Sequence, residues 1–262
     1  MKKFYRVGLL LMLSLLIVAG CSTKEQVKKE KKNEVELTIS AAASLQDALN
    51  EIKGDFVKEH PNIKLTFNFG ASGALQQQIV QGAPVDLFFS AAEDKFDQLV
   101  QDGQIDQNKG IDLVGNELVL VVPKDSKKEI QSFEDMTKAD KIALGTPESV
   151  PAGQYAKQTF EHLKNWANVD KKAVYAKDVR QVLTYVETGN VDAGVVYKTD
   201  ALISPKVKIV ATAKEETHTP IIYPVGIIKK SSHPKEAEAF YDYLQKESSI
   251  KTLEKYGFKG LK

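Results

Sequence analysis

Residues 35–45 read VELTISAAASL and residues 46–56 continue as QDALNEIKGDF. In the first stretch Val35, Leu37 and Ile39 alternate with polar residues, the period of a strand with one buried face. From Leu45 onward the apolar positions are Leu45, Leu49, Ile52 and Phe56, which fall on one face of a helix. A strand therefore runs directly into a helix through a junction of small residues that ends in Ser44. The unit is repeated. Ile63, Leu65, Phe67 and Phe69 alternate, Gly70-Ala71-Ser72-Gly73 forms the turn, and Leu75, Gln78 and Ile79 open a short helix closed by Gly82 and Pro84. Asp86 to Phe89 reads as a further buried strand.

Beyond Gly115 the apolar run Leu118 to Val122 stops at Pro123, and a second series begins. It contains a strand at Ile142-Ala143-Leu144, a helix from about Gly153 to Trp166, a strand at Val174-Tyr175 and a helix on Val179, Val182, Leu183 and Val186 that ends at Thr188-Gly189. Ala193 to Val196 then runs into Tyr197, Ile221 to Ile228 is a last long apolar strand, and Ala237, Phe240, Tyr241 and Leu244 share a helical face. Alternating strands and helices predict an α/β fold with largely parallel sheets. The apolar strands near Leu118 and Ile221 bracket the second series and are expected to carry the crossings between two lobes. One lobe would hold residues 34–116 and 223–262, the other residues 117–222, with a ligand cleft between them at the carboxyl ends of strands.

The N-terminus has a different character. Lys2, Lys3 and Arg6 precede the apolar run Val7 to Val18, and Ala19-Gly20 leads to Cys21. This is the pattern of a secretory signal peptide over residues 1–20, too short for comfortable membrane spanning. Cys21 is the sole cysteine, so no intramolecular disulfide can form. Val18-Ala19-Gly20-Cys21 resembles a bacterial lipobox, which implies a lipidated Cys21 and an extracytoplasmic protein anchored to the cell membrane. Residues 22–33, STKEQVKKEKKN, bury too little to order themselves and predict a flexible tether. A net charge of +1 with 27% charged residues argues against nucleic acid as a partner, so any anion affinity must be local.

Local affinity has an evident source in the strand-to-helix junctions. Ala43-Ser44-Leu45, Gly70-Ala71-Ser72-Gly73-Ala74 and Pro151-Ala152-Gly153 each put small or hydroxyl residues at a helix start, and Asp178 precedes the helix that Val179 opens. Helix N-termini offer unpaired N–H groups and a partial positive charge, so several converging on a cleft bind an anion without a charged side chain. About six charge-assisted hydrogen bonds at roughly 1.5–3 kcal/mol each exceed the approximately 8 kcal/mol of a micromolar complex before ordering costs. Each residue also has a structural use: Ser44, Ser72 and Asp178 are preferred N-caps, and Ala152-Gly153 is turn chemistry.

With these junctions, the chain resembles the molybdate-binding proteins of ABC importers, which have the two-lobed type II periplasmic-binding-protein fold. The resemblance runs from Leu37 to Phe258 and is carried by Ala41-Ala42-Ala43-Ser44-Leu45, Gly82-Ala83-Pro84-Val85-Asp86-Leu87-Phe88 and Val150-Pro151-Ala152-Gly153. Asp178-Val179-Arg180, Gly194-Val195-Val196-Tyr197, Tyr223-Pro224-Val225 and Tyr256-Gly257-Phe258 extend it. It implies that molybdate or tungstate is held through its oxygens by Ser44, Ser72, Ala152, Val179 and Tyr197, with Asp178 capping the helix of Val179. It also implies a permease subunit as partner, a monomer, no further cofactor and no enzymatic activity.

Two rival readings set the contrast. The same fold could serve sulfate, phosphate or an organic anion; an organic carboxylate would want a cation in the cleft, for which Arg180 is the nearest candidate. A hydrolase using Ser44 or Ser72 would need a base. His60, His162, His218 and His233 sit at no evident strand end, and neither serine lies in a Gly-x-Ser-x-Gly elbow. A fully deprotonated dianion suits a cleft of donors, whereas the proton of hydrogen phosphate needs an acceptor.

Overall fold

Two sheets organise the computed structural model, which describes residues 34–261. The signal peptide, Cys21 and the tether expected at residues 1–33 lie outside the described residues. The first sheet has the order β11-β4-β10-β3-β1-β2, from β1 (Val35–Ala42), β2 (Ile63–Gly70), β3 (Leu87–Phe89), β4 (Ile105–Gly115), β10 (Ile222–Ile228) and β11 (Lys259–Gly260). The second has the order β7-β6-β8-β5-β9, from β5 (Leu118–Pro123), β6 (Ile142–Gly145), β7 (Ala173–Ala176), β8 (Ala193–Tyr197) and β9 (Val207–Thr212). The helices are α1 (Gln46–Glu59), α2 (Ser72–Val80), α3 (Glu93–Gln101), α4 (Pro151–His162), α5 (Trp166–Asp170), α6 (Val179–Glu187), α7 (Lys198–Leu202), α8 (Pro234–Leu244) and α9 (Glu247–Lys255). The architecture is α/β, as expected: two sheets, each with helices between its strands.

The sheets are mixed rather than largely parallel. β1 pairs in parallel with β2 and β3, and β6 with β7 and β8. The strands that return from a crossing, β10 and β5, pair antiparallel to their neighbours. Crossing reverses the direction in which each enters its sheet, which the alternation of elements along the chain does not encode. The chain passes from the first sheet to the second at Asn116-Glu117, between β4 and β5, and returns through residues 213–221. The two passages are tied together, since the Asn116 N–H donates to the Ile221 carbonyl at 3.1 Å.

The helix expected to reach Trp166 stops at His162. Lys164 adopts φ 56°, with its N–H bonded to the Glu161 carbonyl and the next N–H, that of Asn165, bonded to Phe160. This is a Schellman ending with lysine in the left-handed position that glycine usually takes.

Strand direction and register place the functional region. Ala42 at the end of β1 is paired with Gly70 at the end of β2, so Ser44 and Ser72 each follow a paired residue by two positions. Gly145 is paired with Ala176, which brings the starts of α4 and α6 to one end of the second sheet. One continuous buried cluster joins Leu37, Ile39, Leu49 and Phe56 of β1 and α1 to Leu120, Leu144, Val182 and Val195 of β5, β6, α6 and β8.

Candidate functional site

Five strand ends deliver their following residues to one small cavity of roughly 200 Å³ of empty space. It is lined by Ala42, Ala43 and Ser44 at the end of β1, by Gly70, Ala71 and Ser72 at the end of β2, and by Val150, Pro151 and Ala152 after β6, with Ala91, Val179 and Tyr197 completing it. The space is far smaller than a pocket for a drug-sized ligand, so it admits at most an occupant of a few heavy atoms. Ser44, Ser72, Ala152, Val179 and Tyr197, read as candidates from the sequence, all lie on its wall. No lining residue carries a charge.

The serines are not spent on capping. The caps of the turn at Ala43–Leu45 and of α2 are Ala42 and Ala71, and neither helix start has a side-chain cap. Instead Ser72 Oγ accepts the Ala91 N–H at 2.9 Å, and Ser44 Oγ is 2.9 Å from the Tyr223 hydroxyl. Both serines are buried. Ser72, whose oxygen already accepts from the protein, keeps its own hydrogen for another acceptor. Asp178 does act as a cap: its carboxylate accepts the Gln181 N–H at 2.8 Å.

Ala152 and Val179 contribute backbone. Each lies in the first turn of its helix, where N–H groups have no intrahelical acceptor. Close approach depends on glycine. A Cβ on Gly153 would sit 2.0 Å from the Gly145 carbonyl oxygen, so only glycine lets α4 start against β6. Tyr197 is buried, and burial pushes its phenol well above its ordinary range, which keeps it a neutral donor. Its hydroxyl reaches the Ala91 carbonyl at only 3.5 Å, a loose contact from which it can turn.

Contacts between the two sheets' elements close the cavity. The Gly73 N–H donates to the Ser149 carbonyl at 3.0 Å. Arg180, the nearest candidate cation for a carboxylate ligand, does not line the cavity; it reaches Asp47 of α1 at 2.5 Å and Asp200 at 2.7 Å. A larger groove of about 950 Å³ of empty space surrounds Thr38, Asp86 and His233, near the start of β1 rather than its end. There the Asp86 carboxylate is engaged by the Thr38 N–H at 2.8 Å and the Ser231 hydroxyl at 2.6 Å, so its polar groups hold strands together.

Gly73 permits a test of closure. A Cβ there would lie 2.8 Å from the Ser149 carbonyl oxygen and 2.9 Å from its Cα, both on the opposite side of the cavity. Separation of the two sides relieves that clash without unfolding either. Gly73→Ala is expected to weaken ligand binding by about 5- to 150-fold, the equivalent of an overpacking cost near 1–3 kcal/mol. The melting temperature without ligand should stay within a few degrees of wild type. Calorimetric titration and thermal melts check both, and a large fall in melting temperature with unchanged affinity would contradict this view of Gly73.

Comparison with known proteins places the geometry among relatives. Residues 37–259 match the family model described as bacterial extracellular solute-binding protein. A Bacillus subtilis protein, YvgL, which carries a provisional designation as an ABC transporter substrate-binding lipoprotein, is 57% identical over 258 residues, 98% of this chain and 99% of its own. The molybdate-binding protein ModA of Escherichia coli is 37% identical over 232 residues, 86% of this chain and 90% of its own. A solved substrate-binding domain from Clostridium difficile, provisionally assigned to a molybdenum ABC transporter, is 44% identical with a TM-score of 0.67. The match covers 87% of this chain and 100% of that one.

Proposed function

The chain belongs to the bacterial extracellular solute-binding protein family, and from that membership we propose that it captures a tetrahedral oxyanion, molybdate or tungstate, outside the cytoplasm and delivers it to an ABC importer. The observation that carries this reading is the convergence of Ser44, Ser72, Ala152, Val179 and Tyr197 on one small, uncharged cavity. Two serine hydroxyls, first-turn N–H groups and a neutral phenol make a wall of donors, which matches an ion that only accepts. The names of the Escherichia coli and Clostridium difficile relatives support the same ligand class.

In this reading residues 34–116 and 223–262 act as one lobe and 117–222 as the other, with closure about Asn116-Glu117 and residues 213–221. The first lobe brings Ser44 and Ser72, and the second brings Ala152, Val179 and Tyr197. Ligand binds the closed form better and shifts the population toward it, and the permease reads that form. Cys21 would carry the lipid anchor, a role that the lipoprotein designation of the Bacillus subtilis relative favours.

Selectivity follows from the donors. Hydrogen phosphate brings a proton into a wall made mostly of donors, while sulfate, equally charged and unprotonated, is separated only by size. Calorimetric titration of residues 34–262 with molybdate, tungstate, sulfate and phosphate tests the proposal. Submicromolar binding of the first two, with at least about a hundredfold preference over phosphate, is the expected result. A folded protein that binds sulfate or an organic anion in preference to both would overturn the ligand assignment.

A further inference from the structure

The Ser44 hydroxyl ends a buried chain of polar groups that begins where the polypeptide crosses between its sheets. Asn116 lies at that crossing, and the Glu117 N–H donates to its Oδ1 at 2.8 Å. This contact fixes the amide, so Nδ2 faces the other way, 3.0 Å from Thr199 Oγ1 and 3.1 Å from the Tyr223 hydroxyl. An amide nitrogen has two hydrogens and only donates, so each of the two oxygens accepts one. Tyr223 Oη has a single hydrogen; besides Asn116, its polar neighbours are Ser44 Oγ at 2.9 Å and, more loosely, the Tyr197 hydroxyl. Having accepted from Asn116, Tyr223 has its own hydrogen to give, and Ser44 Oγ is the acceptor at hydrogen-bond distance.

The Tyr223 ring cannot swing away. It is fully buried, edge-on to Phe258 at 5.2 Å and to Tyr197 at 5.8 Å between ring centres. Because Ser44 Oγ accepts from it, the Ser44 hydrogen is left for the cavity that Ser44 lines.

We propose that Asn116 and Tyr223 are positioning residues that set the direction of hydrogen bonding at Ser44, making it a donor toward the ligand. The proposal rests on the oxyanion reading of the cavity. It accounts for a selectivity that the wall residues alone do not fix, since a serine can donate or accept and only its partners decide which. It also links the ligand to the crossing. Asn116 is bonded to Ile221 of the returning passage, to Thr199 of the second sheet's side and, through Tyr223, to Ser44 of the first. Rearrangement at the crossing would therefore be felt at the donor.

Asn116→Asp tests this with little change of shape. A carboxylate only accepts, so it takes the Tyr223 hydrogen; Tyr223 then accepts from Ser44, and Ser44 turns a lone pair to the ligand. Tungstate binding is expected to weaken by about 10- to 100-fold, and the ratio of hydrogen phosphate to tungstate affinity to rise. Added charge alone would also weaken binding, so Asn116→Asp with Tyr223→Phe is the decisive comparison. The phenylalanine cuts the chain while keeping the charge, and should recover at least about fivefold of the loss. Equal losses in the single and double variants, or no loss in Asn116→Asp, overturn the proposal.

Neutron diffraction of the deuterated wild-type protein supplies a readout independent of ligand and variants. A deuteron on Tyr223 Oη directed at Ser44 supports the chain, and one on Ser44 directed at Tyr223 overturns it. That map also separates the two questions if wild type binds neither molybdate nor tungstate, an outcome that sinks the ligand reading, and decides the matter if Asn116→Asp fails to fold.

Discussion

Ser44→Ala combined with Ser72→Ala is expected to weaken molybdate and tungstate binding by about 10²- to 10⁴-fold, because each replacement removes a charge-assisted hydrogen bond of roughly 1.5–3 kcal/mol. The two serines come from different strand ends and neither bonds the other, so their effects should add approximately. Each single variant then loses about 10- to 150-fold. Stability provides the control. Ser72→Ala strips the acceptor from the buried Ala91 N–H, and Ser44→Ala removes a hydrogen-bond partner from the buried Tyr223 hydroxyl. Each should cost about 1–3 kcal/mol in urea unfolding without ligand. Titrations on variants shown to be folded by circular dichroism make the measurement. A double variant that binds within about threefold of wild type would show that the cavity wall is not the donor set, since even one bond at the low end of the range exceeds that.

Much of this site could be read from the chain because its logic is local. A strand ending in small residues and leading into a helix is visible at Ala43-Ser44 and at Pro151-Ala152-Gly153, and physical chemistry says what helix starts attract. That the junctions meet at one cavity depends on register, with Ala42 beside Gly70 and Gly145 beside Ala176, and register is a property of pairing between distant segments. The resemblance to a family stood in for that missing information.

What escaped has the opposite character. β4 runs IDQNKGIDLVG and is exposed through its middle, so it lacks the alternation that marked its neighbours. β9 alternates poorly for the same reason, with buried Val207 followed by exposed residues. Lys164 takes a left-handed conformation without the glycine that would have announced it. Asn116 and Tyr223 stand 107 positions apart, and Tyr223 and Ser44 179 apart, so no spacing rule could join them. Tyr223-Pro224-Val225 is legible as a motif, but a motif does not say which way a hydroxyl points.

Arg180→Ala is expected to have the largest effect on stability, and its size should depend on pH. Arg180 is the second residue of α6; its guanidinium lies between Asp200, fully buried on its own side, and Asp47 of α1 across the cavity. Burial pushes the Asp200 carboxyl up to about 6, against the pull of Arg180. A carboxyl raised in the folded state favours folding most below its unfolded value near 3.9, and that contribution is lost as pH rises through about 6. Without Arg180 the pull is gone and Asp200 titrates higher still. Above neutrality the variant must bury an uncompensated charge or a proton taken from dilute solution, and a broken buried pair typically costs about 3–5 kcal/mol. Near pH 5 Asp200 is protonated with or without its partner, and much of that cost vanishes. Urea unfolding at pH 5 and pH 8 should therefore show a destabilisation several-fold greater at pH 8. Asp200→Asn in the same chain should remove the difference, because an amide has no charge to compensate. A pH-independent destabilisation that survives Asp200→Asn would assign Arg180 to packing alone. The contact with Asp47 adds a second consequence, since under the proposed closure this partly exposed bridge forms only when the two lobes meet. Asp47→Asn should leave the pH dependence in place and weaken ligand binding modestly, by about two- to fivefold, as expected for a partly exposed pair worth less than about 1 kcal/mol.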